Sequence, residues 1–284
     1  IINPKDTCPA FHLSKLDNYL NTGGNIYLAV DNVRGDLQQG MLQEAPNLGL
    51  QKWLAQKGIT FQDAFAIDEN CGAVSVQQRQ GPFVFNNQID FPYFPLITTF
   101  GDHLIGEGLE AVFLPFVSPI RITPTDTAVK IHPVALTSEL SGIVNPPSYV
   151  DIEKEWTRSD FQESNLVVAV AAEGPLGGTS NARMVVVPNG SFALNGEGQQ
   201  PQQVNPDNIN FVSNSIDWLA DDTGLIALRT KGVTARPLEQ VEDARRNFYK
   251  WGNVVIPIVI IILIGLFRNQ RYNRKKQNWI QGNY

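Results

Sequence analysis

The feature that most constrains this chain lies near its C-terminal end. Between Lys250 and Arg268 runs a 17-residue uncharged stretch, Trp251–Phe267, reading WGNVVIPIVIIILIGLF. At 1.5 Å per residue a helix over it covers roughly 25 Å, the short end of what spans a bilayer. Phe248, Tyr249 and Trp251 on one side, with Tyr272 and Trp279 on the other, have the placement of interfacial aromatic residues, and the flanking Lys and Arg can reach outward to the headgroups. A buried strand or core helix is the competing reading, since the run is rich in Val and Ile and contains Pro257. A core element, however, is not usually followed by a basic tail with no further apolar run to pack on. The stretch is therefore read as one transmembrane helix over 251–267. Residues 239–250 form a polar juxtamembrane helix before it, and residues 268–284 a basic tail after it.

Charge divides the chain at the same place. The formal net charge is -6, yet the tail carries Arg268, Arg271, Arg274, Lys275 and Lys276 and no acid, which leaves -11 on residues 1–267. Such a body repels phosphate backbones and has no basic stripe with interleaved aromatics, so nucleic-acid binding is set aside. Charge does not orient the helix, because Lys231, Arg236, Arg245, Arg246 and Lys250 equal the tail's five positive charges. Large domains cross membranes largely regardless of charge, so the expectation is an extracytoplasmic domain over 1–238 and a cytoplasmic C-terminus. Ile1-Ile2-Asn3-Pro4 reads as the end of a strand, and the natural polypeptide is expected to start further upstream.

Within the body, Leu13, Leu16, Tyr19 and Leu20 recur at helical spacing before Gly23-Gly24, and Asn25–Asp31 reads as a strand. Strand end, helix and strand make a βαβ crossover, the unit of a parallel sheet. The pattern recurs with Leu48, Leu50, Trp53 and Leu54, then Gly58, then Phe65–Asp68. Residues 73–135 change character: Phe83-Val84-Phe85, Phe91–Pro95 and Val112–Ile120 suggest a β-rich elaboration of short strands and loops. Val129–Thr137, Leu166–Ala172 and Met184–Val187 return as strands, the last two continuous enough to be buried on both faces. Ile209–Leu219 reads as a helix burying Ile209, Val212, Ile216 and Leu219, followed by a strand over Leu225–Thr230. Segments 141–165, 173–183 and 194–208 read as loops, and there is no internal repeat. The expected class is α/β: a mostly parallel sheet flanked by helices with a β-rich insertion, then one C-terminal transmembrane helix.

Candidate chemistry is sparse. Cys8 and His12 stand four apart near a helix start, where a thiol pKa can fall, yet no third polar group orients His12. Cys8 and Cys71 suit either a disulfide or two unpaired thiols. His103, beside Asp102 in a Gly-flanked turn, reads as a solvated loop residue, and neither it nor His132 has metal-ligand spacing. Gly174–Ser180 lacks the Gly-Lys ending of a phosphate loop and reads as a hairpin-like turn; Asn189-Gly190-Ser191 is not a hydrolase elbow. Asp31 and Asp68 end strands where α/β sheets hold ligands, a position carboxylates also occupy without function. The Phe83–Phe94 aromatics could meet a glycan or peptide, or form local core. No catalytic, cofactor-binding or metal-ligating residue is assigned. An anchored hydrolase-like enzyme and a glycan- or peptide-binding module remain rival readings.

Several segments, taken in order, resemble the GldG-like gliding-motility family, the auxiliary component of a bacterial ABC transporter. They are Leu16–Asp31, Val112–Ile120, Val168–Gly174, Ala182–Val187, Asn214–Leu219, Leu225–Lys231 with Arg229 and Lys231, and the C-terminal apolar run. The resemblance implies an α/β extracytoplasmic region between two membrane helices, of which this chain is the second half. It also implies a non-catalytic role beside a polytopic membrane subunit and a cytosolic ATPase, with no cofactor. Where the family often has an acidic D-G-D or D-S-D turn, this chain has Pro188-Asn189-Gly190-Ser191, so a site built on those acids is absent.

Overall fold

The computed structural model describes residues 1–80, 83–123, 126–152, 154–195, 204–221 and 243–280. The chain divides into two compact units, Ile1–Ala235 and Arg236–Tyr284. The expected strand at 225–230 and the first residues of the expected juxtamembrane helix, 239–242, lie outside the described residues.

The first unit opens as a βαβ arrangement. Ile2 lies parallel to Ala29 in an isolated bridge, with Asn3 N donating to Ala29 O at 2.9 Å and Ala29 N to Ile1 O at 3.0 Å. Helix α1 (Ala10–Asn21) then returns the chain to β1 (Ile26–Ala29). Leu13, Leu16 and Leu20 face the core, whereas Tyr19, expected beside them, is 52% exposed and lies over Gly24, where an added Cβ would meet its ring. A hairpin of β2 (Val33–Asp36) and β3 (Met41–Glu44) precedes α2 (Leu50–Ala55). Gly58, at φ 86, closes that helix. Next come β4 (Ile59–Phe61), β5 (Phe65–Asp68), β6 (Cys71–Gln80) and β7 (Phe83–Ile97). They are followed by β8 (Thr99–Phe100), β9 (Val112–Phe113), β10 (Ile120–Ile122), β11 (Lys130–Leu136), β12 (Ser141–Val144) and β13 (Ser148–Tyr149). The unit is completed by β14 (Val167–Gly174), β15 (Ala182–Val187) and α3 (Pro206–Ala220).

The central sheet has the order β1-β15-β14-β11-β8. Only β1 and β15 run parallel, Ile26 against Met184 through Ala29 against Val187; β15/β14, β14/β11 and β11/β8 are antiparallel. The expectation of a mostly parallel sheet is thus corrected to a mixed, mostly antiparallel one. The reason is physical: the continuous apolar runs of β14 and β15 arise because both faces are covered, and a short turn joins the two strands, which forces them antiparallel. Alternate residues divide between the faces. Ile26, Leu28, Val30, Val170, Ala172, Met184 and Val186 join Leu20, Trp53 and Leu54 from α1 and α2. Tyr27, Ala29, Ala169, Ala171, Val185 and Val187 join Phe211, Trp218 and Leu219 from α3.

The second expected βαβ unit does not extend this sheet. β4 pairs antiparallel with β10, and β5, expected as the next parallel strand, pairs antiparallel with β12. The elaboration is β-rich, as expected, but its strands are not all short: β7 is 15 residues long and accommodates Pro92 and Pro95 beside a register shift in its pairing with β6. Of the aromatic stretch, Phe91 and Tyr93 are buried with Phe65 and Phe161 in a third cluster, against which Phe94, Phe116 and Trp156 pack. Tyr93 is pushed up to about 12 by burial and by Asp151 and Asp160.

Helix α3 forms where expected but rotates. Asn205 caps it by accepting from Asp207 N at 3.0 Å, with Pro206 in the first turn. Its buried face is Asn208, Phe211, Ser215, Trp218 and Leu219, while Ile209 and Ile216, expected inside, are 55% and 51% exposed. Asn208 decides this: its amide accepts from Phe113 N (2.8 Å) and donates to Phe113 O (2.8 Å) and Phe192 O (2.7 Å), tying the helix to β9 and to the loop after β15.

The second unit contains α4 (Asp243–Ile280), a single 38-residue helix. Its stretch Lys250–Asn273 is 24 residues long and apolar enough to cross a membrane. Ile258, Val259, Ile260 and Ile261, which 100° steps place all round the helix, are all exposed, so it is apolar on every side. Pro257, expected in the first turns, falls well inside a helix that begins at Asp243, and cannot donate to the carbonyl of Asn253.

Two substitutions separate packing from polar satisfaction. Among the described residues the buried Tyr27 hydroxyl has no partner, so Tyr27→Phe is expected to leave urea-unfolding stability unchanged or raise it by about 1 kcal/mol. Asn208→Ala orphans three backbone groups and is expected to cost about 2–4 kcal/mol in the same titration.

Candidate functional site: a polar cleft at one end of the central sheet

The ends of the central strands are where polar side chains collect. At the start of β15 and β1, Asn25 is clamped between two elements: its Oδ1 accepts from Arg183 N at 2.7 Å and its Nδ2 donates to Leu219 O at 2.6 Å. Arg183 then reaches the C-terminal end of α3, where Nη1 donates to Trp218 O and Asp221 O, each at 2.8 Å, and the guanidinium lies 5.2 Å over the Trp218 ring. A cation here satisfies carbonyls that the helix end leaves unpaired and complements its dipole. Beside this clamp opens a cleft of about 440 Å³ whose lining includes Gly23, Lys130, Glu173, Gly174, Arg183 and Asp221. Gly174, at φ 131, passes so close to Ala128 O that a Cβ would sit 2.5 Å from it, which fixes the edge of the cleft as backbone.

Two histidines adjoin it. His132 Nε2 is 3.9 Å from Glu173 Oε1, and its ring lies 5.8 Å from that of His103. His103 in turn packs edge-on against Trp218 at 4.9 Å. Its Nδ1 accepts from Ile105 N at 3.3 Å, so it caps the 3-10 turn Leu104–Gly106 and carries its proton on Nε2 when neutral. The expectation of a solvated loop residue is corrected: His103 is half-buried, and burial, then His132, hold its pKa below the ordinary value. The result is a continuous series, Glu173–His132–His103–Trp218–Arg183, gathered from five segments. It presents both signs of charge and no hydroxyl or thiol nucleophile. Among the described residues no group of three His, Cys, Asp or Glu could hold a metal ion.

The other residues singled out from sequence lie elsewhere. Asp31, at the end of β1, accepts from Gly190 N at 2.6 Å. Asn189 donates to Pro115 O and accepts from Ser191 N and Phe192 N at 2.9 Å each, so the Pro188–Ser191 turn is a backbone clamp. The Ser191 hydroxyl bonds to Asn189 at 3.3 Å and meets no base. Asp68 is buried and accepts from Asn70 N (2.8 Å), Ser138 N (2.7 Å) and Ser138 Oγ (2.6 Å). Burial raises its pKa against the pull of those bonds. Cys8 and Cys71 are free thiols, Cys71 pushed up to about 11 by burial and by Asp90. His12 is exposed beside the Phe11 ring at 5.9 Å. None of these is brought to the cleft. Sequence reasoning missed Asn25, Arg183 and the His103–His132 pair; the one available signal was Arg183, a lone charge at the head of a buried strand.

Comparison with known proteins gives the family. The chain belongs to the family described as an ABC-type uncharacterized transport system, an auxiliary-component family whose model matches residues 1–221. No curated protein matches it. Among solved structures, one described as the mmIFT52 N-terminal domain aligns at 13% identity over 78% of this chain and 76% of that one, with a TM-score of 0.45.

The cleft makes stability depend on pH in a stated direction. A histidine whose folded-state pKa is depressed lets the unfolded chain bind the proton first. Its contribution is therefore complete above about pH 6.5 and is lost as pH falls through the lower, folded value. Thermal melting between pH 7.5 and 5 should show this loss, and His103→Asn should flatten the profile while leaving the pH 7.5 end nearly in place.

Proposed function

We propose that this chain is a non-catalytic, membrane-anchored auxiliary subunit of an ABC transporter. Its body lies in the periplasm, its helix Lys250–Asn273 crosses the inner membrane, and its C-terminus is cytoplasmic. The observation that carries the reading is the pairing of a family match over residues 1–221 with a helix of spanning length and composition after it. The non-catalytic part is supported by how the sequence's candidate groups are used: Asp31, Asp68 and Ser191 hold backbone and turns, and among the described residues the cleft has no hydroxyl or thiol nucleophile beside its histidines. The helix offers an apolar surface on every side, suited to lipid and to the helices of a polytopic subunit, through which a cytosolic ATPase would be reached. Gliding motility, with associated protein secretion, is the finer proposal and rests on the ordered resemblance of Leu16–Asp31, Val168–Gly174 and Ala182–Val187 to the GldG-like proteins.

The test is the company the full chain keeps. Solubilised from its own membranes in mild detergent, a tagged chain should bring down a polytopic subunit and an ATPase in fixed ratio; recovery of the chain alone would sink the proposal. Protease added outside intact spheroplasts should remove the body and spare an epitope at Tyr284, and loss of that epitope would reverse the orientation.

A further inference from the structure

β6 and β7 leave the body as a two-stranded ribbon. Their inner ends are held: Cys71 pairs with Pro95, Phe91 and Tyr93 are buried, and Leu96 and Ile97 pair with β9. From Ala73 opposite Asp90 out to Gln80 opposite Phe83, the strands pair only with each other. Eight successive pairs make a ribbon on the order of 25 Å long at about 3.4 Å per residue. Ala73, Ser75, Gln77, Asn86, Gln88 and Asp90 are exposed along it, and among the described residues every backbone pairing of Ala73–Gln77 is with β7.

Such an arm conflicts with two general rules. A two-stranded ribbon is marginal in water, and three or more strands with an apolar face are needed for independent stability. An open edge is ordinarily blunted by lysines, prolines or a covering element. β6 has no lysine and no proline, and between Cys71 and Asp90 the only charges are Arg79 toward the tip and Asp90 at the base. Among the described residues the outer edge of β6 is thus an uncovered, nearly uncharged template.

We propose that β6 pairs antiparallel with β6 of a second copy of this chain, joining two ribbons into one four-stranded sheet about a two-fold axis near Val76. Three features of the ribbon are complementary to themselves in that arrangement. An antiparallel pair of identical edges exchanges its own N–H and C=O groups. With the axis at Val76, position 79 of one copy stands opposite Ala73 of the other, which is itself paired with Asp90. Each arginine position is therefore two strand spacings, about 10 Å, from the partner ribbon's only acid, whereas parallel pairing would set arginine positions side by side. Val74 and Val76 share a face with Ile89, by the register of Val74 opposite Ile89, and that apolar face becomes continuous across the axis. The four strands then meet the count that a free-standing sheet requires.

The experiment uses the full chain in detergent micelles, with Cys8→Ser and Cys71→Ser as background and single cysteines placed in turn at residues 72 to 80. Mild oxidation should give disulfide-linked dimer peaking within 74–78 and falling on either side, as an axis demands. In light scattering without oxidant, Arg79→Asp and Asp90→Arg should each weaken dimerisation roughly fivefold to tenfold, since two symmetric charge pairs are lost, and the double variant should restore it. Unchanged melting of the body would show that the arm variants still fold. A monomer at all concentrations with flat cross-linking overturns the proposal. So does an edge that cross-links only to a different polypeptide, which would make it a site for another subunit.

Discussion

Three strands, β1, β14 and β15, are covered on both faces, and the other elements of the first unit are placed by that requirement. Leu28, Ala29, Val168, Ala169, Val170, Ala171, Val185, Val186 and Val187 have no exposed surface at all. Each Val or Leu so buried is worth about 1.5–3 kcal/mol relative to exposure. The gain is realised only if an apolar layer lies on each side, and α1 and α2 supply one, α3 and the segments around Ile105 and Leu114 the other. The alanines matter as much as the valines: Ala29, Ala169 and Ala171 lie on the α3 side, and small residues there leave room for the large rings of Phe211 and Trp218.

A strand dry on both faces must meet water at its ends, and there the backbone needs polar partners. This chain uses asparagine repeatedly: Asn25 and Asn189 stand at opposite ends of the β1–β15 pair, Asn32 spans to Gln62, Asp63 and Ser118, and Asn208 fastens α3. An amide donates and accepts without carrying charge into low dielectric, where an unpaired ion is far more costly. The exception is Arg183, whose charge is placed where α3 ends and its carbonyl dipoles point outward. The cleft exists because of that exception: the groups that let Arg183 sit there, Glu173, the histidines and the aromatic Trp218, are the ones that make its surroundings polar.

This explains what could be read from the chain before its structure. Helices α1, α2 and α3, and the strands at Ile26, Phe65, Val167 and Ala182, follow from periodicity and from Gly punctuation. The sheet's direction did not, because a two-sided apolar run looks the same whichever way its neighbour points; the turn of 175–181 carried the answer and was read as a hairpin without being used against the parallel expectation. The face of α3 was misjudged because hydropathy ranks Ile209 and Ile216 above Asn208, while three hydrogen bonds outweigh that ranking. The cleft was hidden for a different reason: His103, His132, Glu173 and Arg183 come from four separate elements and meet only once β11, β14 and α3 are assembled.

The same accounting sets the arm apart from the body. Local opening costs most where apolar burial is dense and least where hydrogen bonds face solvent. In β14 and β15 the pairs Val170–Val186, Ala171–Val185 and Ala172–Met184 are buried, whereas from Ala73 to Gln77 and Asn86 to Asp90 side chains are exposed or only half-buried. The body therefore gains little from the outer ribbon, in which Val74 packs on the third cluster while the strand beyond it pairs with β7. The eight pairs from Ala73–Asp90 to Gln80–Phe83, kept in register beyond the core, are better understood as a surface shaped for another strand than as part of what holds this fold together.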